Sequence, residues 1–284
     1  MILSFHPIIT ADENRLCAGR LPDAADAAAI RRAAAVILPQ GCGPELYRLA
    51  RENGPHLFPN LDVRFDHPGK RGQIALFRQL GIPHPPTRLY GSVAAFRQDG
   101  DAIPLPAVIK LDWGGEGRTV FKIDDQQGLA KVLAHLRACE GTGQRGFLLQ
   151  PYLPHRQRCL RVTVIGHRLV AYWRIQPQPD RFGTSLAQGA RIDGAADPHL
   201  QAAGVAVVRD FCRRTGLQLA GCDLIFAEHN LAAGRVAPLM LEINYFFGRT
   251  GLGGSEAYYQ MLAEAVDHWL AEMGLRRRLS GTMN

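Results

Sequence analysis

Asp223, Glu242 and Asn244 are the first residues whose types and spacing could do chemistry. In the stretch PLMLEINYFFGRTGLGGS, from Pro238 to Ser255, strand alternation puts Leu239, Leu241 and Ile243 on one face and Met240, Glu242 and Asn244 on the other. Upstream, GCDLIFA at 221–227 is a second apolar run holding one acid, Asp223, and the segment EHNLAAGRVA between the two runs reads as a hairpin connection. If Ala227 meets Pro238, then Phe226 faces Leu239 and Asp223 faces Glu242. Facing Cβ atoms lie about 5 Å apart, where two carboxylates repel by about 3 kcal/mol at an effective dielectric of about 20. A hard divalent cation drawing oxygens from Asp223, Glu242 and Asn244 would offset that repulsion. Mg²⁺ suits the role, since it prefers a few carboxylates plus phosphate oxygens to a full protein cage. The alternative is a solvated sheet face with scattered polar residues.

Two further groups point to anions. In PAVIKLDWGGEGRTVFKI, the runs AVIKL and TVFKI flank Gly114, Gly115, Glu116 and Gly117. Glycines let a backbone approach a ligand and present its N–H groups, which suits phosphate oxygens. No GxxxxGK[ST] pattern is present, so the cluster is not a P-loop. Read alone, such a hairpin tip is more often merely a turn. Lys110 stands just before it in an otherwise apolar strand, where a lysine either reaches solvent or serves an anion. In LRVTVIG and LVAYWRI, Arg161, Thr163, Tyr172 and Arg174 share one face of a hairpin about Gly166 and His167, and Val162, Val164, Leu169, Ala171 and Trp173 share the other. Two arginines on one face repel unless an anion lies between them; carboxylate and phosphate are the usual anions for arginine forks. The alternative is that each pairs with a local acid or projects into solvent.

The elements that must position these groups follow from the punctuation of the chain. Residues 1–65 read as a small separate α/β unit, with a helix over 24–35, a short buried strand over 34–38 and a second helix from Pro44 to Asn53. The strand is not followed by GxGxxG, so a dinucleotide fingerprint is absent. Asp66–Gly72 reads as a link into a helix from Gln73 to Leu80, and IPHPPT as a proline-stiffened connection near a domain boundary. Helices are expected over 126–138, 198–215 and 255–273, and a polar, glycine-punctuated loop over 182–192 could line a pocket.

Composition narrows the class. The chain of 284 residues has no apolar run long enough to span a membrane and no basic segment ahead of its first apolar residues, so a cytoplasmic globular protein is expected. Six cysteines without a CxxC pair argue against a disulfide framework and a zinc site. Thirty-three basic against 26 acidic residues give +7, part of it in Arg276, Arg277 and Arg278. The other arginines are dispersed, which favours a site for anionic ligands over nucleic-acid binding.

In order along the chain, these motifs resemble the ATP-grasp superfamily, especially glutathione synthetases and ribosomal-protein glutamyl ligases. The resemblance covers about 66–275 and rests on Lys70 followed by GIPHPPT, on Lys110 with the glycine loop, on Gln150-Pro151-Tyr152-Leu153, on Arg161 and Arg174 at two strands, and on Asp223 with Glu242-Ile243-Asn244. It implies an α/β (α+β) fold of two α+β subdomains, a glycine-loop unit at about 84–146 and a metal-binding unit at about 147–275, preceded by a short N-terminal domain at 1–65 and followed by a basic tail at 276–284. It also implies ATP held by Lys70, Lys110, Gly114, Gly115, Gly117, Gln150, Tyr152 and Leu153, the adenine meeting the backbone of the last segment. Two Mg²⁺ ions would sit on Asp223, Glu242 and Asn244, with Mn²⁺ able to stand in. The implied reaction is phosphorylation of a carboxylate, followed by attack of an amine on the acyl phosphate. Arg161 and Arg174 would stabilise the charge that develops. Substrates would be amino acids or peptides, and a homodimer is compatible. A small-molecule kinase on the same fold and a nucleotide-binding protein without turnover stay open. Cys159, Ser185 and Phe246-Phe247 depart from the usual acid, asparagine and proline-containing turn, all on the acceptor side.

Overall fold

Three sheets divide the chain. A computed structural model of the protein describes residues 1–100, 104–115 and 117–277; Glu116 of the glycine cluster and the expected basic tail beyond Arg277 lie outside the described residues. The first sheet is built from β1 (Ile2–Ser4), β2 (Glu13–Asn14), β3 (Ala35–Ile37) and β4 (Leu57–Phe58), all parallel in the order β2-β1-β3-β4. Helices α1 (Ala24–Arg32) and α2 (Pro44–Asn53) connect its strands. Asp23 caps α1 in a reciprocal box with Asp26, which explains why an alanine-rich segment starts where it does. Leu3, Val36 and Leu46 share one core with these helices. Ile2, Ala35, Ile37 and Phe58 share another with Tyr258, Leu262 and Val266 of the helix Ser255–Glu272. The N-terminal unit expected to be separate therefore shares a core with the far end of the described chain. Arg277 adds a tether, donating to Asp267 and to the carbonyl of Thr10.

Next come α3 (Asp62–Asp66) and α4 (Gly69–Gln79). Helix α4 starts four residues before the expected Gln73, because its first N–H groups are satisfied from a distant part of the sequence. Asp112 accepts from the N–H of Lys70 at its carbonyl (3.2 Å) and from the N–H of Arg71 at its carboxylate (2.8 Å). The second sheet contains β5 (Arg88–Tyr90), β6 (Ala107–Leu111), β7 (Val120–Ile123) and β8 (Phe147–Pro151), antiparallel in the order β5-β8-β6-β7, with α5 (Val93–Asp99) and α6 (Gln126–Gly141). Strand β8 lies between β5 and β6, so the subdomain boundary expected at 147 falls after Pro151. A strand of five apolar-rich residues carries no mark of which sheet will take it.

The third sheet is formed by β9 (Arg158–Ile165), β10 (Arg168–Ile175), β11 (Arg191–Asp193), β12 (Leu219–Phe226) and β13 (Pro238–Asn244), in the antiparallel order β11-β10-β9-β12-β13. Helix α7 (Pro198–Thr215) packs on one face through Leu200, Val208 and Phe211, and α9 (Ser255–Glu272) serves the other. The connection before β13 contains a short helix, α8 (Glu228–Ala232). Asp223 does face Glu242, as the counting predicts, but the register slips by one beyond it, so Phe226 meets Pro238 rather than Leu239. Leu241 is the extra residue of this bulge. The slip reverses the expected faces upstream of Glu242: Met240 lies in the core with Ile243, while Leu241 turns toward the cleft with Glu242. Among the described residues no helix is long and apolar enough to cross a membrane.

A buried histidine gives this fold a pH dependence. His6 Nδ1 accepts from the N–H groups of Ile8 and Ile9 at 3.1 and 2.9 Å, and burial, then the nearby Arg249, lowers its pKa from 6.5 to about 4. The unfolded chain takes up a proton near 6.5 and the folded chain only near 4, so stability falls as pH falls through that window. The full difference is about 3 kcal/mol. Replacing His6→Asn keeps an acceptor oxygen and removes the titration. Urea unfolding from pH 7.5 to 4.5 should show that the slope of stability against pH in this window flattens in the variant.

Candidate active site

A cleft of about 490 Å³ opens between the second and third sheets. Lys110 of β6 and Gln150 of β8 line it on one side, Arg161, Arg174, Asp223, Glu242 and Asn244 on the other, and Lys70 of α4 between them.

On the third sheet the carboxylate expected to need a cation is already paired. Asp223, 3% exposed, accepts from Arg161 Nε at 2.6 Å and Nη2 at 3.1 Å, and Arg174 Nη2 lies 2.7 Å away. The anion between the two arginines is thus a local acid. Burial alone would raise the pKa of Asp223, and the two guanidiniums outweigh it, holding the group down to about 2. Gly221 makes this fork possible, because a Cβ there would stand 2.7 Å from Arg161 Nη1. Arg174 also donates to Cys159 Sγ at 3.7 Å and keeps a buried Nε without a partner. Burial pushes the Cys159 thiol up to about 11, so it is a protonated neighbour at the position where an acid was expected.

Glu242 and Asn244 are only half-buried and face the cleft. Asn244 Nδ2 donates to Asp223 Oδ2 at 3.1 Å and to Glu242 Oε1 at 3.2 Å. Among the described residues no group of three or more His, Cys, Asp and Glu side chains gathers to hold a metal. A hard cation that takes most of its oxygens from phosphate and water needs fewer protein ligands. The donor set fits such an ion: Glu242 offers a carboxylate, and Asn244 can turn its amide to present Oδ1 where it now presents Nδ2. Asp223 already receives Arg161 twice, Arg174 and Asn244. It can ligate only as the Asn244 bond is given up.

Across the cleft, Lys70 Nζ donates to the carbonyl of Gly114 at 3.0 Å and lies 3.9 Å from Glu242 Oε2. Lys110 is 6% exposed; burial lowers its pKa, with Glu242 pulling the other way. Gly114 has φ +83° and a Cβ there would lie 2.5 Å from Thr119 Cγ2, whereas Gly115 has open space. Gly114 is therefore required by the backbone, and Gly115 leaves room for a ligand. At the other end, Gln150 donates to Thr87 Oγ1 at 2.9 Å, the Tyr152 N–H bonds the carbonyl of Pro106 at 2.9 Å, and the His155 ring donates to the Leu153 carbonyl at 2.8 Å. Val108, Ile225 and Leu241 add apolar walls.

Residues 69–256, from the first turn of α4 to the start of α9, match the family model described as the RimK-like ATP-grasp domain. The chain belongs to that family. A curated relative, described as a probable alpha-L-glutamate ligase of Azotobacter vinelandii, is 25% identical over 195 residues, 64% of this chain and 57% of its own length. The chain thus spans a little over half of that relative. Among solved structures, the RimK-domain ATP-grasp protein of Sphaerobacter thermophilus aligns with a TM-score of 0.59 at 19% identity, covering 82% of this chain and 81% of that one. D-cycloserine synthetase DcsG aligns with a TM-score of 0.60 at 17% identity, covering 93% and 97%. The ATP-grasp fold is shared at these identities.

Sequence reasoning left His155 and Tyr172 out of the site and put Leu241 on the wrong face. His155 stands two residues after the Gln150–Leu153 segment, and Tyr172 stands on the arginine face, so position could have flagged both. Leu241 was hidden by the bulge. The ion triad makes a sharp prediction. Asp223→Asn strands two buried guanidiniums and should cost about 3–5 kcal/mol. Glu242→Gln, at a group 26% exposed and 3.9 Å from Lys70, should change stability by less than about 1 kcal/mol. Denaturant titration of the two variants checks the contrast.

Proposed function

We propose that the protein is an ATP- and Mg²⁺-dependent carboxylate–amine ligase that acts on an amino acid or a peptide through an acyl phosphate. The observation that carries this reading is Lys70, which touches the glycine-loop carbonyl of Gly114 and approaches Glu242 in the same cleft. Four cationic side chains, Lys70, Lys110, Arg161 and Arg174, stand there against two carboxylates, Asp223 and Glu242. That excess suits a polyphosphate. In this reading Lys70, Lys110 and the backbone at Gly115 and Gly117 hold the phosphates. The adenine lies toward Gln150, Tyr152 and Leu153 between the apolar walls. Glu242 and Asn244 would hold Mg²⁺, which when bound would neutralise phosphate charge. Asp223 keeps Arg161 and Arg174 in place, and Arg174 stabilises charge on the transferring phosphoryl group. The similarity to a probable glutamate ligase and to D-cycloserine synthetase supports an amino-acid-like substrate. The cleft continues past Phe246 and Phe247 toward Arg249, which stacks on Tyr258 and Tyr259, and an acceptor would enter from that side.

Incubation with ATP, Mg²⁺ and a pool of amino acids and dipeptides should release phosphate together with a product carrying a new amide, read by mass spectrometry. ADP with a phosphoester and no free phosphate would make it a kinase instead. Glu242→Gln combined with Asn244→Ala should abolish turnover. Arg174→Met should lower kcat about 10²-fold and leave KM for ATP within a few-fold, because its contact strengthens as charge moves. Equal loss in both parameters would place Arg174 in ground-state binding.

A further inference from the structure

Gln73 is 6% exposed, and it uses both ends of its amide on one residue 170 positions away. Its Nε2 donates to the carbonyl of Ile243 at 2.9 Å, and its Oε1 accepts from the N–H of Ile243 at 2.8 Å. Ile243 is the residue between Glu242 and Asn244. It lies on β13, the edge strand of its sheet, whose outward backbone groups have no neighbouring strand. The amide acts as that missing neighbour, since only a planar group with one donor and one acceptor can satisfy both.

We infer that Gln73 is a positioning residue: it fixes the backbone that carries Glu242 and Asn244 at a set distance from the phosphate-binding end of α4. Lys70 lies three residues earlier on the same helix face, with its Nζ on Gly114 and 3.9 Å from Glu242. Asp112, at the root of the glycine loop, holds the first turn of that helix. A C-β at Gly69, whose φ is +70°, would lie 2.5 Å from Asp112 Oδ1. Helix α4 is thus fastened to the glycine loop at one turn and to β13 at the next, so phosphate groups and cation ligands keep one spacing. The inference rests on Glu242 and Asn244 being cation ligands.

The test is direct Mn²⁺ binding, read by electron paramagnetic resonance of the free ion in the presence of a non-hydrolysable ATP analogue, below the melting point of every variant. Glu242→Gln should weaken binding. Gln73→Met, which keeps length and removes both bonds, should weaken it by about 10- to 100-fold, the range for groups that orient metal ligands. Gln73→Asn, one methylene short, carries the same test should the methionine variant fail to fold, and should fall between. A purely structural glutamine would lower the melting point and leave Mn²⁺ affinity of the folded protein unchanged. That result, with Glu242→Gln still weakened, overturns the inference and leaves the cation site standing. Unchanged affinity in Glu242→Gln would overturn both.

Discussion

The buried ion group of Asp223, Arg161 and Arg174 is the interaction on which the rest of the site depends. It joins β9, β10 and β12 on one sheet face, with all three side chains at or below 15% exposure. Two guanidiniums and one carboxylate so far from water are costly unless each finds a partner, and their mutual geometry is what makes the burial tolerable. The group leaves a net positive charge facing the cleft. Asn244 then links it to Glu242 through its amide. The half-buried acid at the mouth and the fully buried acid behind it therefore differ in kind. One is held by arginines, and the other stays available.

Opposite this sheet, Lys70 and Lys110 face the cleft beside the glycine loop, and in the proposed reading they attract phosphate. Lys70 is one contact between the two halves, reaching Gly114 on one side and Glu242 on the other. Because Lys110 is buried and its charged form penalised, an anion entering the cleft would restore what desolvation takes from it. The strongest attraction is then for a ligand that carries several charges at once, rather than for a single carboxylate.

Much of this was legible in the sequence, and the failures share a cause. Alternation and turn length put Arg161 and Arg174 on one face, because pairing parity depends only on local counting, whereas Asp223 meets Glu242 as expected only because the bulge at Leu241 offsets a pairing that starts one residue off the expected register. The order of motifs gave the fold. What stayed hidden depended on partners distant in sequence. The start of α4 is set by Asp112, the sheet membership of β8 by β5 and β6, and the neutralisation of Asp223 by Arg161 and Arg174, whose pairing with a local acid the sequence left as an open alternative without naming the acid. The bulge at Leu241 has no glycine to announce it. It cost the assignment of Met240, which a two-residue period puts on the wrong side.

The face shared by the first sheet and α9 bears on how the chain folds during synthesis. Ile2, Ala35, Ile37 and Phe58 leave the ribosome early, while Tyr258, Leu262 and Val266 follow only after every strand of the other two sheets. Vectorial synthesis usually lets an N-terminal unit fold first. Here that unit can complete only the side covered by α1 and α2, and it carries an uncovered apolar surface until α9 arrives. The first sheet can therefore lock in place only after the strands of the other two sheets and α9 have been made.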